Sequence, residues 1–235
     1  MGEARYSDIT VIIPTLNEEK NVRKIVPILC GMYKGIHIIF ADDGSTDGTK
    51  EAARALSKRY ANVELLDRTH AAVHGLTVSV IDAALHANTE KIIVMDADLQ
   101  HPPRMVGKIS AGLNHYDIVV GVRISVRSWG FHRRVMSKGM AFIAYAVLKM
   151  RRRYVCNDIM SGFFGIKANV FKNIIRKNRG LFVPTGYKVL LDTLRLAGPG
   201  LLIGEVKYST FHKRYSGSSK FKPKIMLDTL KSTFR

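Results

Sequence analysis

Two aspartates, Asp96 and Asp98, follow the apolar run of residues 92–95, which reads as a buried strand. On an extended chain, side chains two residues apart point to the same side, so both carboxylates can face one ligand. Gln100 adds an amide oxygen two residues further on. These oxygen donors suit Mg²⁺ or Mn²⁺ and do not suit Zn²⁺. A divalent cation held here could bind a diphosphate and neutralise its charge as it leaves.

The plainer interpretation is a loop after a strand, with its acids in water. Two earlier segments bear on the choice. Within residues 11–19, an apolar strand ends at a proline and is followed by the polar start of a helix. Within residues 38–49, a second strand has acids at its carboxyl end. Open α/β sheets bind nucleotides at the carboxyl ends of their strands. Polar segments at the ends of three strands therefore favour a nucleotide site.

Strands and helices alternate through the first half of the chain. Apolar runs predict strands at residues 9–13, 37–41, 63–66, 91–95 and 117–120, with helices at residues 18–32, 49–60, 76–87 and 103–114 between them. This alternation is typical of an α/β fold with a mostly parallel sheet and helices on both faces. Such a sheet would bring the polar strand ends to one edge.

The pattern is less regular after Arg123. Residues 131–149 are predicted to be helical, and residues 161–166 and 204–211 are predicted to be further strands. The length of 235 residues fits one domain with a sizeable core.

A basic amphipathic segment closes the chain. Residues 225–234 combine apolar and basic side chains in the pattern of a helix that lies in a membrane interface. We therefore expect a catalytic domain over residues 1–221 and an interfacial segment over residues 222–235.

The order of the motifs resembles one family. Residues 12–18 read Ile-Ile-Pro-Thr-Leu-Asn-Glu, residues 42–49 read Asp-Asp-Gly-Ser-Thr-Asp-Gly-Thr, and residues 96–103 read Asp-Ala-Asp-Leu-Gln-His-Pro-Pro. This order resembles the family-2 inverting glycosyltransferases of the GT-A fold, and most of all the dolichyl-phosphate mannose synthases. The resemblance covers nearly the whole chain, with further matches at residues 75–77, 121–123, 133–139, 161–164, 186–188 and 217–220.

The resemblance implies roles for individual residues. The implied nucleotide-sugar site consists of Pro14, Leu16, Glu18, Ala41, Asp43, Asp96, Ala97, Asp98, Arg123, Lys188, Arg214 and Lys220. The implied metal ligands are Asp96, Asp98 and Gln100, and the implied acceptor-phosphate residues are Arg123, Arg133 and Ser137. The implied catalytic residues are Asp98, Arg123 and Arg133.

Three positions bear on specificity. Leu16 stands where close relatives have an aromatic residue, and His74 stands where Lys or Arg is common. His101 agrees with mannosyl members of the family, whereas bacterial glucosyl members tend to have Asp there. The alternative is that His101 is a turn residue with no contact to sugar.

The resemblance also implies an activity. It implies inverting transfer of mannose from GDP-mannose to dolichyl or polyprenyl phosphate, giving dolichyl phosphate mannose and GDP, with Mg²⁺ or Mn²⁺ as cofactor. One alternative is a polyprenyl-phosphate glucosyltransferase that uses UDP-glucose. Another is a non-enzymatic basic module that binds a membrane or nucleic acid.

The net charge of +18 is unevenly distributed. Residues 1–103 hold 11 Lys and Arg against 14 Asp and Glu, whereas residues 104–235 hold 26 against 5. A solvated surface or nucleic-acid binding would also fit such a charge. The sequence has no helix-turn-helix signature, zinc-finger spacing or aromatic RNA-binding motif. An anionic membrane surface and a lipid phosphate fit better, so we expect no nucleic-acid partner.

The remaining sequence features concern the cellular compartment of the protein. The two cysteines, Cys30 and Cys156, allow at most one disulfide, so a reducing cytoplasm is expected. The start leads directly into a strand, so we expect no signal peptide. The longest apolar run, residues 140–148, is shorter than the roughly 20 residues of a spanning helix. We expect a peripheral protein at the cytoplasmic face of a membrane, with a membrane-anchoring partner left open.

Overall fold

The computed structural model describes residues 6–124, 156–184, 188–209 and 215. Within them, seven strands form one sheet: β1 Ile9–Thr15, β2 His37–Asp42, β3 Val63–Asp67, β4 Lys91–Val94, β5 Ile118–Arg123, β6 Phe164–Lys167 and β7 Ile203–Tyr208. The helices of the described part are α1 Glu19–Met32, α2 Thr49–Arg59, α3 Leu76–His86, α4 Met105–Gly112, α5 Ala168–Asn178 and α6 Val189–Leu196, with a 3₁₀ turn at Arg179–Leu181.

The strand order is β3-β2-β1-β4-β6-β5-β7. Every neighbouring pair is parallel except those of β6, which runs antiparallel to both β4 and β5. The six strands other than β6 therefore end at the edge where β6 begins. The prediction of a mostly parallel α/β sheet is confirmed.

Helices cover both faces of the sheet and enclose two apolar clusters. One cluster packs against α3, α5 and α6, and the other against α1, α2 and α4. Successive strand side chains point to opposite faces, so Ile12 joins the first cluster while Ile13 joins the second. Burial on both faces explains why these strands are continuous apolar runs.

The structure differs from the sequence-based predictions at several boundaries. β4 ends at Val94, one residue before the predicted end, and β6 begins at Phe164 instead of residue 161. Helices α5 and α6 were not predicted, although the buried side chains of α5 include Phe171, Ile174 and Ile175 at helical spacing. The predicted helix at residues 131–149 and the segment 222–235 lie outside the described residues.

The described residues on either side of segment 125–155 both bind β7. The amide of Ile124 donates to Tyr208 O over 2.9 Å. Asn157 donates to Glu205 twice, from its backbone amide over 2.6 Å and from Nδ2 over 2.7 Å. Both attachments lie within the same strand. Cys156, at the far end of the segment, and Cys30 are free thiols.

Gly121 lies at a close contact between β5, the start of β6 and β7. A Cβ atom there would lie 2.9 Å from Phe163 O and 3.2 Å from Tyr208 Cε1. We expect Gly121→Ala to lower the free energy of unfolding by about 1–3 kcal/mol, because the neighbouring backbone must shift. Urea denaturation measures this change. Gly31→Ala in α1 is the control, since nothing lies within 4 Å of its added Cβ, and equal midpoints for the two variants would contradict the prediction.

Candidate active site

The loops after β1 and β2 are tied together by side-chain hydrogen bonds. The amide of Asn17 donates to Ser45 Oγ over 2.8 Å, and Asn17 Oδ1 accepts from the amide of Thr46 over 2.9 Å. The amide of Glu18 donates to Thr49 Oγ1 over 2.8 Å. The two strand ends therefore present one connected surface at the edge of the sheet.

Five of the predicted pocket residues lie at this edge in different environments. Pro14 and Glu18 are half-buried, and Leu16 is exposed. Ala41 and Ala97 are buried in the two apolar clusters. These alanine side chains face the protein interior, so a donor could contact only their backbone groups.

Asp42 holds the turn after β2 in place. Its carboxylate is fully buried and accepts from Thr15 Oγ1 over 3.0 Å, from the amide of Ser45 over 2.8 Å and from the amide of Gly44 over 3.2 Å. Gly44 has φ +92°, a conformation that glycine adopts without strain. Asp42 therefore fixes the backbone that positions Asp43.

Asp43 faces the next loop. Its Oδ2 accepts from the amide of Gly75 over 2.7 Å, and its Oδ1 lies 3.1 Å from His74 Nδ1. Oδ1 also forms an ion pair with Arg68. His74, noted above as a departure from the family, thus contacts a predicted pocket residue directly.

Arg68 is a functional candidate that sequence reasoning missed. Its side chain is 5% exposed. Besides its ion pair with Asp43, it donates from Nε to Asp82 Oδ2 over 2.9 Å, from Nη1 to Ser79 Oγ over 2.8 Å and from Nη2 to Val73 O over 2.7 Å. The sequence offered one signal for Arg68, namely its position directly after β3, since the ends of β1, β2 and β4 carry predicted site residues. Arg68 connects the Asp43 loop to α3.

The segment with the two predicted metal-binding aspartates is a turn. Because β4 ends at Val94, the expectation of an extended chain here is wrong, and Leu99 has φ +63°. Asp96 exposes 46% of its side chain, whereas Asp98 is 4% exposed. The Asp98 carboxylate accepts from the amide of Gln100 over 3.0 Å. The directions of the Asp96 and Asp98 side chains are therefore set by the turn and not by the alternation of side chains along a strand.

The donor set of this turn fits a divalent cation that arrives with a diphosphate. Within the described ranges, no three His, Cys, Asp or Glu side chains gather into a complete metal site. Mg²⁺ is typically held by one or two carboxylates together with substrate phosphates and water. Asp96 and Asp98 supply two hard carboxylates on one turn, and the exposure of Asp96 leaves room for phosphate oxygens.

His101 contacts the same turn, and its side chain is 2% exposed. The amide of Asp96 donates to His101 Nδ1 over 3.0 Å, so this nitrogen carries no proton. Burial, and secondarily the charge of Arg123, lower the pKa of His101 to about 3, while Asp98 acts in the opposite direction. The ring is therefore neutral, and the 3.8 Å separation between Nδ1 and the Asp96 carboxylate is not an ion pair.

A basic group stands on the other side of the site. Arg123 ends β5 and hydrogen-bonds the Tyr208 phenol. Lys188 Nζ donates to Met160 O over 3.1 Å. Burial raises the pKa of Asp158, and the charges of Arg123 and Lys188 oppose that rise. Asp158 also accepts from the backbone amide of Arg123.

Asp158 is a second residue that sequence reasoning missed. It is one of only five acids in residues 104–235, and that scarcity was the available signal. Its carboxylate brings together Arg123 and Lys188, which the sequence places 65 positions apart. Four other predicted residues, Arg133, Ser137, Arg214 and Lys220, lie outside the described part of the chain.

Acidic side chains and the basic side chains of Arg123 and Lys188 thus lie at one edge of the sheet. A family model described as "Glycosyl transferase family 2" matches residues 10–175. The chain belongs to glycosyl transferase family 2. The segments with acids after β1, β2 and β4 all lie within the matched range.

The similarity to named relatives extends beyond residues 10–175. It is 34% identical to a dolichol-phosphate mannosyltransferase of Pyrococcus furiosus over 97% of its own length and 63% of that protein. It is 30% identical to a dolichol-phosphate mannosyltransferase of Saccharomyces cerevisiae over 95% of its length and 84% of that protein. The chain thus spans less than two thirds of the Pyrococcus furiosus relative.

The family-2 fold is also seen in solved structures. Glucosyl-3-phosphoglycerate synthase from Mycobacterium tuberculosis, solved with Mn²⁺, UDP-glucose and phosphoglyceric acid, superimposes with a TM-score of 0.65 at 18% identity. The match covers 96% of this chain and 79% of the mycobacterial chain. The chain therefore has the GT-A fold. No helix in the described ranges is both long and apolar enough to cross a membrane.

Proposed function

We propose that this glycosyltransferase moves mannose from GDP-mannose to dolichyl or another polyprenyl phosphate with inversion at the anomeric carbon. The observation that carries the proposal is identity of 30–34% to dolichol-phosphate mannosyltransferases over at least 95% of the chain. The acidic and basic groups of the site also support the proposal, because the reaction brings together two anions, the donor diphosphate and the acceptor phosphate.

Asp96, Asp98 and Gln100 would hold Mg²⁺ or Mn²⁺ in this proposal. When bound, such a cation screens the charge that develops on the departing nucleoside diphosphate. Asp98 and the Gln100 amide fix the shape of the turn through their 3.0 Å hydrogen bond. Asp96, the more exposed carboxylate at 46% exposure, would present its oxygens to the diphosphate.

The donor would lie across the ends of β1, β2 and β4. Pro14, Leu16 and Glu18 would line one wall for the nucleoside, and Asp43 would hydrogen-bond donor hydroxyl or amine groups from its fixed position. Ala41 and Ala97 would contribute backbone groups only. Basic side chains would reach the donor phosphates, namely Lys188 within the described residues together with Arg214 and Lys220.

The acceptor would approach from the side of Arg123, with Arg133 and Ser137 completing the phosphate site. A phosphomonoester has a second pKa of about 6, so near neutral pH it is already an anionic nucleophile. A general base is then not required. An arginine fork suits such a phosphate because it can donate to two oxygens at once.

Association with a membrane follows from the acceptor, which carries a long apolar chain. The basic amphipathic segment 222–235 is proposed to lie in the interface of the cytoplasmic leaflet, where each basic residue contributes about 1 kcal/mol. The protein would then be peripheral, with or without a membrane-anchoring partner.

A transfer assay tests the proposed activity. Detergent-solubilised protein is incubated with Mn²⁺, dolichyl phosphate and radiolabelled GDP-mannose, with labelled UDP-glucose in a parallel tube. We expect label from GDP-mannose to enter the organic phase. Label from UDP-glucose alone would overturn the donor and favour the glucosyltransferase alternative. Absence of transfer from both, together with nucleic-acid retention on a filter, would favour a binding module.

A further inference from the structure

Several of the described residues pack against the imidazole of His101. It stacks on Phe163 with ring centroids 4.9 Å apart and planes 12° apart, and it meets the Tyr208 ring edge-on at 6.4 Å. A Cβ atom on Gly162 would lie 3.5 Å from His101 Cε1. These contacts fix the plane of the ring, and within that plane Nδ1 faces the amide of Asp96.

The turn that His101 contacts needs such support. Leu99 has φ +63°, a left-handed conformation that costs free energy for a residue with a side chain. The far side of the turn is held where the Gln100 amide donates to Asp98 Oδ1 over 3.0 Å and the Tyr215 amide donates to Asp98 O over 3.1 Å. The near side is held where the Asp96 amide donates to His101 Nδ1 over 3.0 Å.

We propose that His101 is a positioning residue that holds the turn of Asp96 and Asp98 in its cation-binding shape by accepting the Asp96 amide hydrogen. His101 thereby acts on the cation-binding turn and not on the sugar. The inference rests on the proposed function only for the identity of the turn's ligand, because the hydrogen bond exists without it.

The hydrogen bond has a stereochemical requirement that variants can test. Nδ1 lies two bonds beyond Cβ, and the side-chain oxygen of asparagine lies at the same distance along the chain. The oxygen of glutamine lies one bond further out. His101→Asn can therefore keep an acceptor in place, whereas His101→Gln, of similar polarity, cannot.

The first experiment uses the full chain without metal and measures exchange of the Asp96 amide hydrogen by NMR. We expect exchange to become about tenfold faster in His101→Gln, as for loss of a hydrogen bond of ordinary strength, and to stay close to wild type in His101→Asn. Equal exchange in wild type and His101→Gln overturns the proposal.

A measurement on the wild-type protein guards against variants that do not fold. Long-range ¹H–¹⁵N correlation of the His101 ring should show the proton on Nε2. A proton on Nδ1 overturns the proposal, because that nitrogen could then not accept from Asp96.

Mn²⁺ affinity in the presence of GDP gives the functional readout. We expect His101→Gln to weaken it by about 10–100-fold, the usual effect of losing a group that orients a metal ligand, and His101→Asn to restore it. If wild type itself does not bind Mn²⁺ with GDP, the proposed cation site fails while Asp96 exchange still decides the role of His101. A changed preference between GDP-mannose and UDP-glucose in His101→Gln, with Asp96 exchange unaltered, would assign His101 to the sugar instead and overturn the proposal.

Discussion

Asp98→Ala should lower the rate of mannosyl transfer by about 10³-fold or more, even in saturating Mn²⁺. A loss of that size corresponds to about 4 kcal/mol of transition-state stabilisation, which is within what a bound cation contributes at a departing diphosphate. Asp98 is buried and accepts from the Gln100 amide, so the substitution removes both the proposed cation ligand and a support of the turn. Initial rates across a Mn²⁺ titration provide the measurement.

Glu51→Ala is the matched control for Asp98→Ala. Glu51 lies in the first turn of α2, is largely exposed and belongs to no predicted site, yet its removal changes the net charge equally. We expect its transfer rate to match that of wild type. Full activity of Asp98→Ala at saturating Mn²⁺ would remove Asp98 from the cation site.

Arg68→Met should lower the free energy of unfolding by about 3 kcal/mol and weaken GDP binding. Removing one member of a buried ion pair leaves its partner charged and poorly solvated, at a cost of about 3–5 kcal/mol. The lower end of that range applies because Asp82 keeps 30% of its side chain in contact with solvent, although Asp43 keeps only 11%. Asp43 would also lose the guanidinium that orients it in the proposed nucleoside pocket.

Urea denaturation and GDP titration calorimetry measure the two effects of Arg68→Met. Arg54→Met is the control, since the ion pairs of Arg54 with Glu51 and Asp67 are exposed. Exposed pairs contribute about 0–1 kcal/mol, so this variant should unfold near the wild-type midpoint. If Arg68→Met and Arg54→Met prove equally stable, the Arg68 network does not hold the loops together.

The first half of the fold could be predicted because its signals are local. A strand buried on both faces must be a continuous apolar run, and β1, β2 and β4 each show one that ends in polar residues. The end of β4 was placed one residue too late because Met95 is apolar and buried although it lies outside the strand. Apolar character reports burial, and a buried residue can belong to a turn.

The polar contacts of the site could not be predicted, because each joins distant parts of the chain. Arg68 meets Asp43 and Asp82 only after β2, β3 and α3 have packed. Lys188 reaches Met160 O only because β6 enters the sheet between β4 and β5. Residue type shows that a charge needs a partner, but the topology of the sheet decides which partner it meets.

The attachment of Ile124 and Asn157 to one strand has an evolutionary consequence. These two residues, one on each side of residues 125–155, are bound within the short span from Glu205 to Tyr208 on β7. A stretch whose two ends are held side by side can be lengthened, shortened or exchanged without changing the register of any strand. Under the proposed assignment of Arg133 and Ser137 to the acceptor, members of the family could therefore differ in acceptor through residues 125–155 alone, while the strands that carry the proposed donor site keep their register.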